Sequence, residues 1–79
     1  MITIKATAEQ ISALGALSAY PDGALAVDVA FILQCSYGKA YDLLQALVKN
    51  GLATREREAE GIIYYPTVDI LNEEWEAIL

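Results

Sequence analysis

Residues 36–52 read SYGKAYDLLQALVKNGL, and this stretch decides the fold. Its apolar residues recur at helical spacing, so we predict an amphipathic helix over 36–50 with Ser36 as the N-cap. The apolar stripe of this helix consists of Ala40, Leu43, Leu44, Leu47 and Val48. Asn50 and Gly51 end the helix, because glycine readily takes the left-handed conformation that closes many helices. Its other side is polar and remains available for a partner.

Two further helices are predicted upstream of this stretch. Thr7, followed three residues later by Gln10, has the pattern of a capping box, which begins a helix at Ala8. The turn sequence over 20–23 contains proline and an Asp-Gly pair, and it ends this first helix. A second helix is predicted over roughly 26–33, because the apolar residues there continue up to the next cap.

A hairpin and a last helix are predicted downstream. Residues 52–57 and 62–67 have the composition of strands, and residues 58–61 join them. The last helix is predicted over about 70–79, with Asn72 as its N-cap. The hairpin, taken as 53–66, is placed directly after the third helix.

At the other end of the chain, Ile2 and Ile4 alternate with polar residues, which favours a short strand before the first helix. The 79 residues suffice for one domain, here 1–79 with a core over 8–67. The predicted class is α+β and mostly α. Its architecture is a winged helix-turn-helix with a three-helix core, a two-stranded wing and a short C-terminal helix.

The segment from Leu14 to Thr67, about two-thirds of the chain, resembles the winged-helix transcriptional regulators. These regulators include the arsenic-repressor-like and multiple-antibiotic-resistance-regulator-like groups. The residues that carry the resemblance are Asp22-Gly23-Ala24-Leu25, Val29-Ala30, Leu33, Ser36, Leu43-Leu44, Leu47, Lys49-Asn50-Gly51-Leu52, Thr54-Arg55-Glu56-Arg57 and Gly61-Ile62-Ile63-Tyr64-Tyr65-Pro66-Thr67. The resemblance implies a transcription regulator whose helix 36–50 enters the major groove of double-stranded DNA and whose wing 53–66 touches the backbone.

The charge distribution agrees with that implication. Residues 36–57 hold four basic and two acidic side chains, a balance of +2, whereas the rest of the chain holds Lys5 and nine acidic residues, a balance of −8. An acidic body with a basic recognition surface favours specific over non-specific DNA binding. The DNA-binding residues implied by the resemblance are Ser36, Tyr37, Lys39, Tyr41, Gln45, Lys49, Arg55 and Arg57.

Other features point to a protein partner instead. Asp42 and the acidic wing tip at 58–61 would repel phosphate, and Phe31 and Ile32 stand where the resembling regulators usually have polar residues. The alternative function is an acidic winged-helix module that binds a basic protein. It could be a phage- or plasmid-encoded inhibitor, such as an anti-CRISPR protein or an antirepressor, that blocks a nucleic-acid-binding host protein.

The predicted protein interface, which would also serve a homodimer, consists of Phe31, Ile32, Glu73, Glu74, Trp75 and Ile78. For Phe31 and Ile32 a second interpretation is open. The N-terminal strand or the C-terminal helix could cover them within the same chain.

Several classes of function are excluded by composition. The chain has no histidine and a single cysteine, Cys35, which rules out an internal disulfide and a Cys/His zinc site. Neither a phosphate-binding glycine loop nor a nucleophile with a neighbouring base is present, so we predict no enzyme, no cofactor and no metal. Cys35 itself is typical of a small core residue. Without a signal peptide or a membrane-length apolar run, we expect a cytoplasmic protein with no membrane partner.

Overall fold

The computed structural model describes residues 3–67 and 74–78, and the side chains of residues 6–67. The elements of these residues are, in order, β1 (Thr3–Thr7), α1 (Ala8–Ser18), α2 (Ala26–Leu33), α3 (Tyr37–Lys49), β2 (Ala53–Glu58), β3 (Gly61–Pro66) and β4 (Glu74–Ile78). Within this part of the chain, three helices followed by an antiparallel hairpin make a winged helix-turn-helix. The predicted fold is confirmed.

Helix α1 begins at the predicted capping box. The Thr7 hydroxyl accepts a hydrogen bond from the Gln10 backbone N–H at 3.0 Å, and the Gln10 side-chain oxygen accepts one from the Thr7 N–H at 3.1 Å. Both bonds satisfy donors that the first turn of a helix leaves without partners. The chain therefore turns from β1 directly into α1, without a loop.

The turn between α2 and α3 contains the only non-glycine residue with positive φ among the described residues. Gln34 takes φ 55° and ψ 46° directly after α2, where a glycine commonly makes this turn. Ser36 then caps α3, because its hydroxyl accepts a hydrogen bond from the Lys39 N–H at 3.1 Å. The two helices are thus joined tightly, as in a helix-turn-helix.

The wing consists of β2 and β3, which pair antiparallel from Ala53 opposite Pro66 to Glu58 opposite Gly61. Each strand lies one residue from its predicted position. A bridge between Ala24 and Tyr64, with backbone hydrogen bonds of 2.9 and 2.8 Å, ties the free side of β3 to the chain before α2. At the base of the wing the Thr67 hydroxyl donates a hydrogen bond to the Gly51 carbonyl oxygen at 2.7 Å, so the wing is anchored at both its base and its edge.

The core lies between the three helices and the base of the wing. Its largest fully buried side chains are Leu14, Leu17, Val29, Leu44, Leu47 and Tyr64. No described helix has the length and apolar character that a membrane crossing requires.

The predicted C-terminal helix is wrong over Glu74–Ile78, which form β4 and pair parallel with β1, Thr3 opposite Glu74. The segment alternates acidic and apolar residues at 74–77, a period that suits a strand. A helix of about ten residues is marginal by itself, whereas this pairing satisfies backbone groups of β1 as well. Asn72, the predicted cap, lies outside the described residues.

Candidate nucleic-acid interface

Helix α3 has one buried side and one open side. Ala40, Leu44 and Leu47 are buried in the core. Helical spacing places another set on the opposite side, which we call the outward stripe: Gly38, Asp42, Gln45 and Lys49. Asp42 and Lys49 are exposed, whereas Gln45 is half-buried. The outward stripe is the part of α3 that an extended partner would meet first.

Two tyrosines flank this stripe near the start of the helix. Tyr37 and Tyr41 lie one turn apart, and their rings stack with centroids 6.3 Å apart and an angle of 23° between their planes. They are 60% and 39% exposed. Each ring presents an apolar face and a hydroxyl at the surface, a combination that suits contact with a partner.

The two faces of the wing carry opposite charges. Side chains alternate along a strand, so Arg55 and Arg57 share a face with their neighbours on β3, Tyr64 and Ile62. We call this the inner face, because Tyr64 contacts α3 from it. The outer face carries Thr54, Glu56, Glu58, Ile63 and Tyr65. Strand alternation therefore puts both arginines on the side of the wing that adjoins α3.

A hydrogen-bonded chain of three side chains joins the inner face to α3. Gln45 donates from Nε2 to the Tyr64 hydroxyl at 2.7 Å. Arg55 donates from its guanidinium to the Gln45 side-chain oxygen. Because both ends of the Gln45 amide are occupied, this residue links the helix to the wing in the free protein.

The surroundings of the two wing tyrosines reflect the same division. Burial raises the pKa of Tyr64 above its ordinary value, Tyr41 adds to the rise, and hydrogen bonding and attraction from Arg55 act in the opposite direction. Loss of hydration also raises the pKa of Tyr65, and there the repulsion comes from carboxylates, Glu56 first and Glu58 second. The inner face thus has a basic environment and the outer face an acidic one.

Lys39 is engaged at the other side of α3. Its Nζ lies 2.9 Å from a carboxylate oxygen of Glu9, near the start of α1, and both side chains are more than half exposed. The hydrogen bond and the attraction from Glu9 raise the pKa of Lys39. Thirty positions separate the two residues, and no sequence pattern links them.

The structure gathers part of the predicted DNA-binding set. Tyr41, Arg55 and Arg57 line a shallow groove of about 370 Å³ beside α3, together with Glu56 and Ile62. Gln45 adjoins it through its bond to Arg55. The other predicted residues, Ser36, Tyr37, Lys39 and Lys49, are exposed along α3 outside this groove. Their contact with DNA remains a prediction.

Tyr64 is the residue of this site that sequence reasoning missed. The alternation of Tyr64 and Tyr65 indicates that one of them points inward, but only the fold shows that Tyr64 reaches the Gln45 side chain.

The other predicted interface is visible only in part. Phe31 is 82% exposed, and Val27 and Ile32 beside it are 54% and 40% exposed. This apolar face of α2 is therefore open, and the main helix contacts of β1 and β4 are with α1. Glu73 lies outside the described residues, as do the side chains of Glu74, Trp75 and Ile78, so their role remains a prediction.

A cavity of about 420 Å³ opens between α1 and the turn that joins α2 to α3. Its lining includes Cys35, Ser12 and the ion-paired Glu9 and Lys39. Cys35 is half-buried and packs against the core, as expected for a small apolar residue at this position.

Comparison with known proteins supports the fold independently. No protein family and no curated protein matches the chain. Two solved structures do. The crystal structure of the S. aureus MepR–DNA complex matches with a TM-score of 0.69 and 29% identity, over 84% of this chain and 50% of that one. A mutant of S. aureus MepR matches with a TM-score of 0.65 and 29% identity, over 82% of this chain and 49% of that one. The chain spans about half the length of either structure.

Proposed function

We propose that this protein is a DNA-binding transcription regulator, with α3 in the major groove of double-stranded DNA and the wing on the adjacent backbone. The similarity to MepR, a protein whose structure contains DNA, supports the general assignment. The observation that carries it to this chain is the placement of Arg55 and Arg57 on the inner face of the wing, beside the outward stripe of α3. In a winged helix these are the two elements that approach DNA together.

The proposed roles follow from charge and position. Lys49, Arg55 and Arg57 neutralise phosphates, while Tyr37, Lys39 and Tyr41 contact DNA from the flanks of α3. Gln45 positions the wing relative to the helix through its bonds to Arg55 and Tyr64. Because the chain carries a net charge of −6, its attraction to arbitrary DNA is weak and depends strongly on salt. The proposal involves no chemical reaction.

The test measures binding of a fluorescein-labelled, mixed-sequence duplex by fluorescence anisotropy over a series of salt concentrations. We expect the wild-type protein to bind at low ionic strength. Arg57→Ala should reduce the slope of log K against log salt by about 0.9, the loss of one phosphate contact. Lys5→Ala is the matched control, because it removes the same charge from a chain position in β1 and should leave the slope unchanged.

Two results would overturn the proposal. One is the absence of duplex binding by the wild-type protein at low ionic strength. The other is a salt slope for Arg57→Ala that equals the wild-type slope, because the inner face of the wing would then not contact phosphate.

The open apolar face of α2 favours a second candidate, a protein-binding module. Phe31 exposes most of its ring, and exposed apolar patches of several neighbouring residues often mark protein contacts. The partner would be a basic protein with an apolar centre to its contact surface, because the body of this chain is acidic. A second copy of the chain is the other occupant that the sequence analysis considered.

This candidate is tested with a purified partner recovered by affinity capture and identified by mass spectrometry. Phe31→Ser should weaken binding of the purified partner at least tenfold, whereas Ala59→Ser at the exposed wing tip should not change it. Equal binding by both variants would exclude the α2 face. Light scattering of the wild-type protein alone reports whether a second copy occupies it.

A further inference from the structure

Asp42 occupies the centre of the outward stripe of α3. Gly38 lies one turn before it, and Lys49 lies two turns after it on the same side of the helix. The Asp42 side chain is exposed, and the described residues provide neither an ion-pair partner nor a hydrogen-bond donor for it. Its carboxylate is therefore available to whatever the outward stripe contacts.

Asp42 is the one unengaged side chain of the stripe between Gly38 and Gln45. Gly38 has no side chain, and a Cβ atom added there would meet nothing within 4 Å, so the helix can approach a partner closely at this turn. The Gln45 amide is bonded to Tyr64 and Arg55. Lys39 points to Glu9 on the α1 side of the helix. In this part of the stripe the Asp42 carboxylate is therefore the polar group left open to a partner.

A carboxylate is only an acceptor, and this restricts what it can contact in DNA. Phosphates repel it, and so do the N7 and O6 acceptors of guanine. Adenine offers its N6 amino group, but the N7 acceptor lies beside it in the major groove. Cytosine offers the N4 amino group, a donor that aspartate and glutamate accept.

We propose that Asp42 selects a cytosine in the binding site by accepting a hydrogen bond from its N4 amino group in the major groove. This inference rests on the proposed function, with α3 as the helix that enters the groove. It also gives a reason for an acidic residue at the centre of such a helix. With guanine or thymine at this position the carboxylate is desolvated with no donor to pair with it, and with adenine the donor lies beside the repelling N7 acceptor, which disfavours wrong sites.

The experiment selects binding sequences from a pool of short duplexes with a randomised centre, using the wild-type protein, Asp42→Asn and Glu58→Gln. The wild-type protein should enrich cytosine at one position, and replacing that base should weaken binding roughly tenfold. Asp42→Asn should lose the preference for cytosine or replace it with adenine, the base that asparagine pairs with. Glu58→Gln makes the same change of net charge on the outer face of the wing, away from the groove, and should keep the wild-type preference.

The outcomes separate this inference from the function on which it rests. If the wild-type protein binds no duplex, the proposed function fails and the inference fails with it. If the wild-type protein binds but selects no cytosine, the inference alone is wrong. It is also wrong if Asp42→Asn selects the same cytosine as the wild-type protein and only binds all sequences more tightly, because Asp42 would then act by repulsion alone.

Discussion

Gln45 on α3 donates a hydrogen bond to the hydroxyl of Tyr64 on β3 across 2.7 Å. Tyr64 is 1% exposed, and its backbone pairs with that of Ala24. The burial of the ring and the pairing of the backbone therefore fix the position of the hydroxyl that accepts this bond. The guanidinium of Arg55 completes the arrangement from β2. Helix and wing are therefore held in a fixed relation before any partner arrives, which reduces the entropy lost on binding.

Removing the Tyr64 hydroxyl tests this link. Tyr64→Phe should lower the free energy of unfolding by about 1 kcal/mol, because the Gln45 amide loses its acceptor in a half-buried place. Tyr65→Phe on the outer face is the matched control and should change it by less than about 0.5 kcal/mol. Urea unfolding followed by circular dichroism measures both, and equal losses would contradict a specific role for the Tyr64 hydroxyl.

Tyr64 also gives the protein a dependence on alkaline pH. Its pKa is raised in the folded state, chiefly by burial, so the folded state holds the proton more tightly than the unfolded state. The associated stability is complete below the ordinary tyrosine pKa of about 10 and is lost as the pH rises through the folded value. Tyr65 and Lys39 have raised pKa values as well and act in the same direction.

We therefore expect the urea midpoint of the wild-type protein to fall as the pH increases above about 10. Tyr64→Phe should show a shallower fall, because one of the titrating groups is absent. Parallel declines in the two proteins would show that Tyr64 does not contribute.

The glycine in the turn before α2 is required by both conformation and space. Gly23 has φ +99°, and a Cβ atom there would collide with Ile63 and come within 2.7 Å of the Tyr65 ring. Gly23→Ala should therefore cost about 2–4 kcal/mol of unfolding free energy. Gly38→Ala is the matched control: nothing lies within 4 Å of the added atom, and alanine should stabilise α3 by up to about 1 kcal/mol. Thermal unfolding midpoints that shift in the same direction would contradict this account.

The parts of the fold that depend on neighbouring residues could be predicted from the sequence. Thr7 with Gln10 gives the start of α1, and Ser36 gives the start of α3, because a cap acts within one turn. The strand β4 could not be predicted in this way. Its partner β1 lies at the opposite end of the chain. The residues of so short a segment fit both the helical period of 3.6 and the strand period of 2, so the pairing with β1 decides which structure forms.

The candidate site was predictable by residue type but not by arrangement. The alternation of side chains along a strand is enough to predict that Arg55 and Arg57 lie on the face of β2 opposite to the glutamates. Only the contact of Tyr64 with α3 shows which of the two faces adjoins the helix. The ion pair of Lys39 with Glu9 joins α3 to α1, and no local sequence pattern predicts how these two helices are placed relative to each other. The proposed contact of Asp42 with cytosine likewise could not be predicted from the sequence, because it depends on the Gln45 amide being occupied by Tyr64 and Arg55.

The exposure of Phe31 predicts that this aromatic side chain contributes little to folding. Phe31→Ser should leave the free energy of unfolding within about 0.5 kcal/mol of the wild-type value, because most of the ring is already in water. Leu44→Ala, in the core side of α3, should cost about 2–5 kcal/mol. Urea denaturation compares the two. A large loss for Phe31→Ser would mean that its ring is covered in solution, by a second copy or by another part of the chain.

The ion pair between Lys39 and Glu9 limits what Lys39 can give to DNA. To contact a phosphate, the Lys39 ammonium has to leave a carboxylate 2.9 Å away, so the pair competes with binding. Glu9→Gln should therefore strengthen duplex binding and make the salt slope steeper by up to about 0.9. Stability should change little, since both side chains are exposed and water screens the pair. Glu58→Gln makes the same charge change on the outer face of the wing, away from the groove, and it should strengthen binding less and leave the slope unchanged. If the two variants alter affinity and slope alike in anisotropy titrations, overall charge accounts for the effect and Lys39 contacts no phosphate.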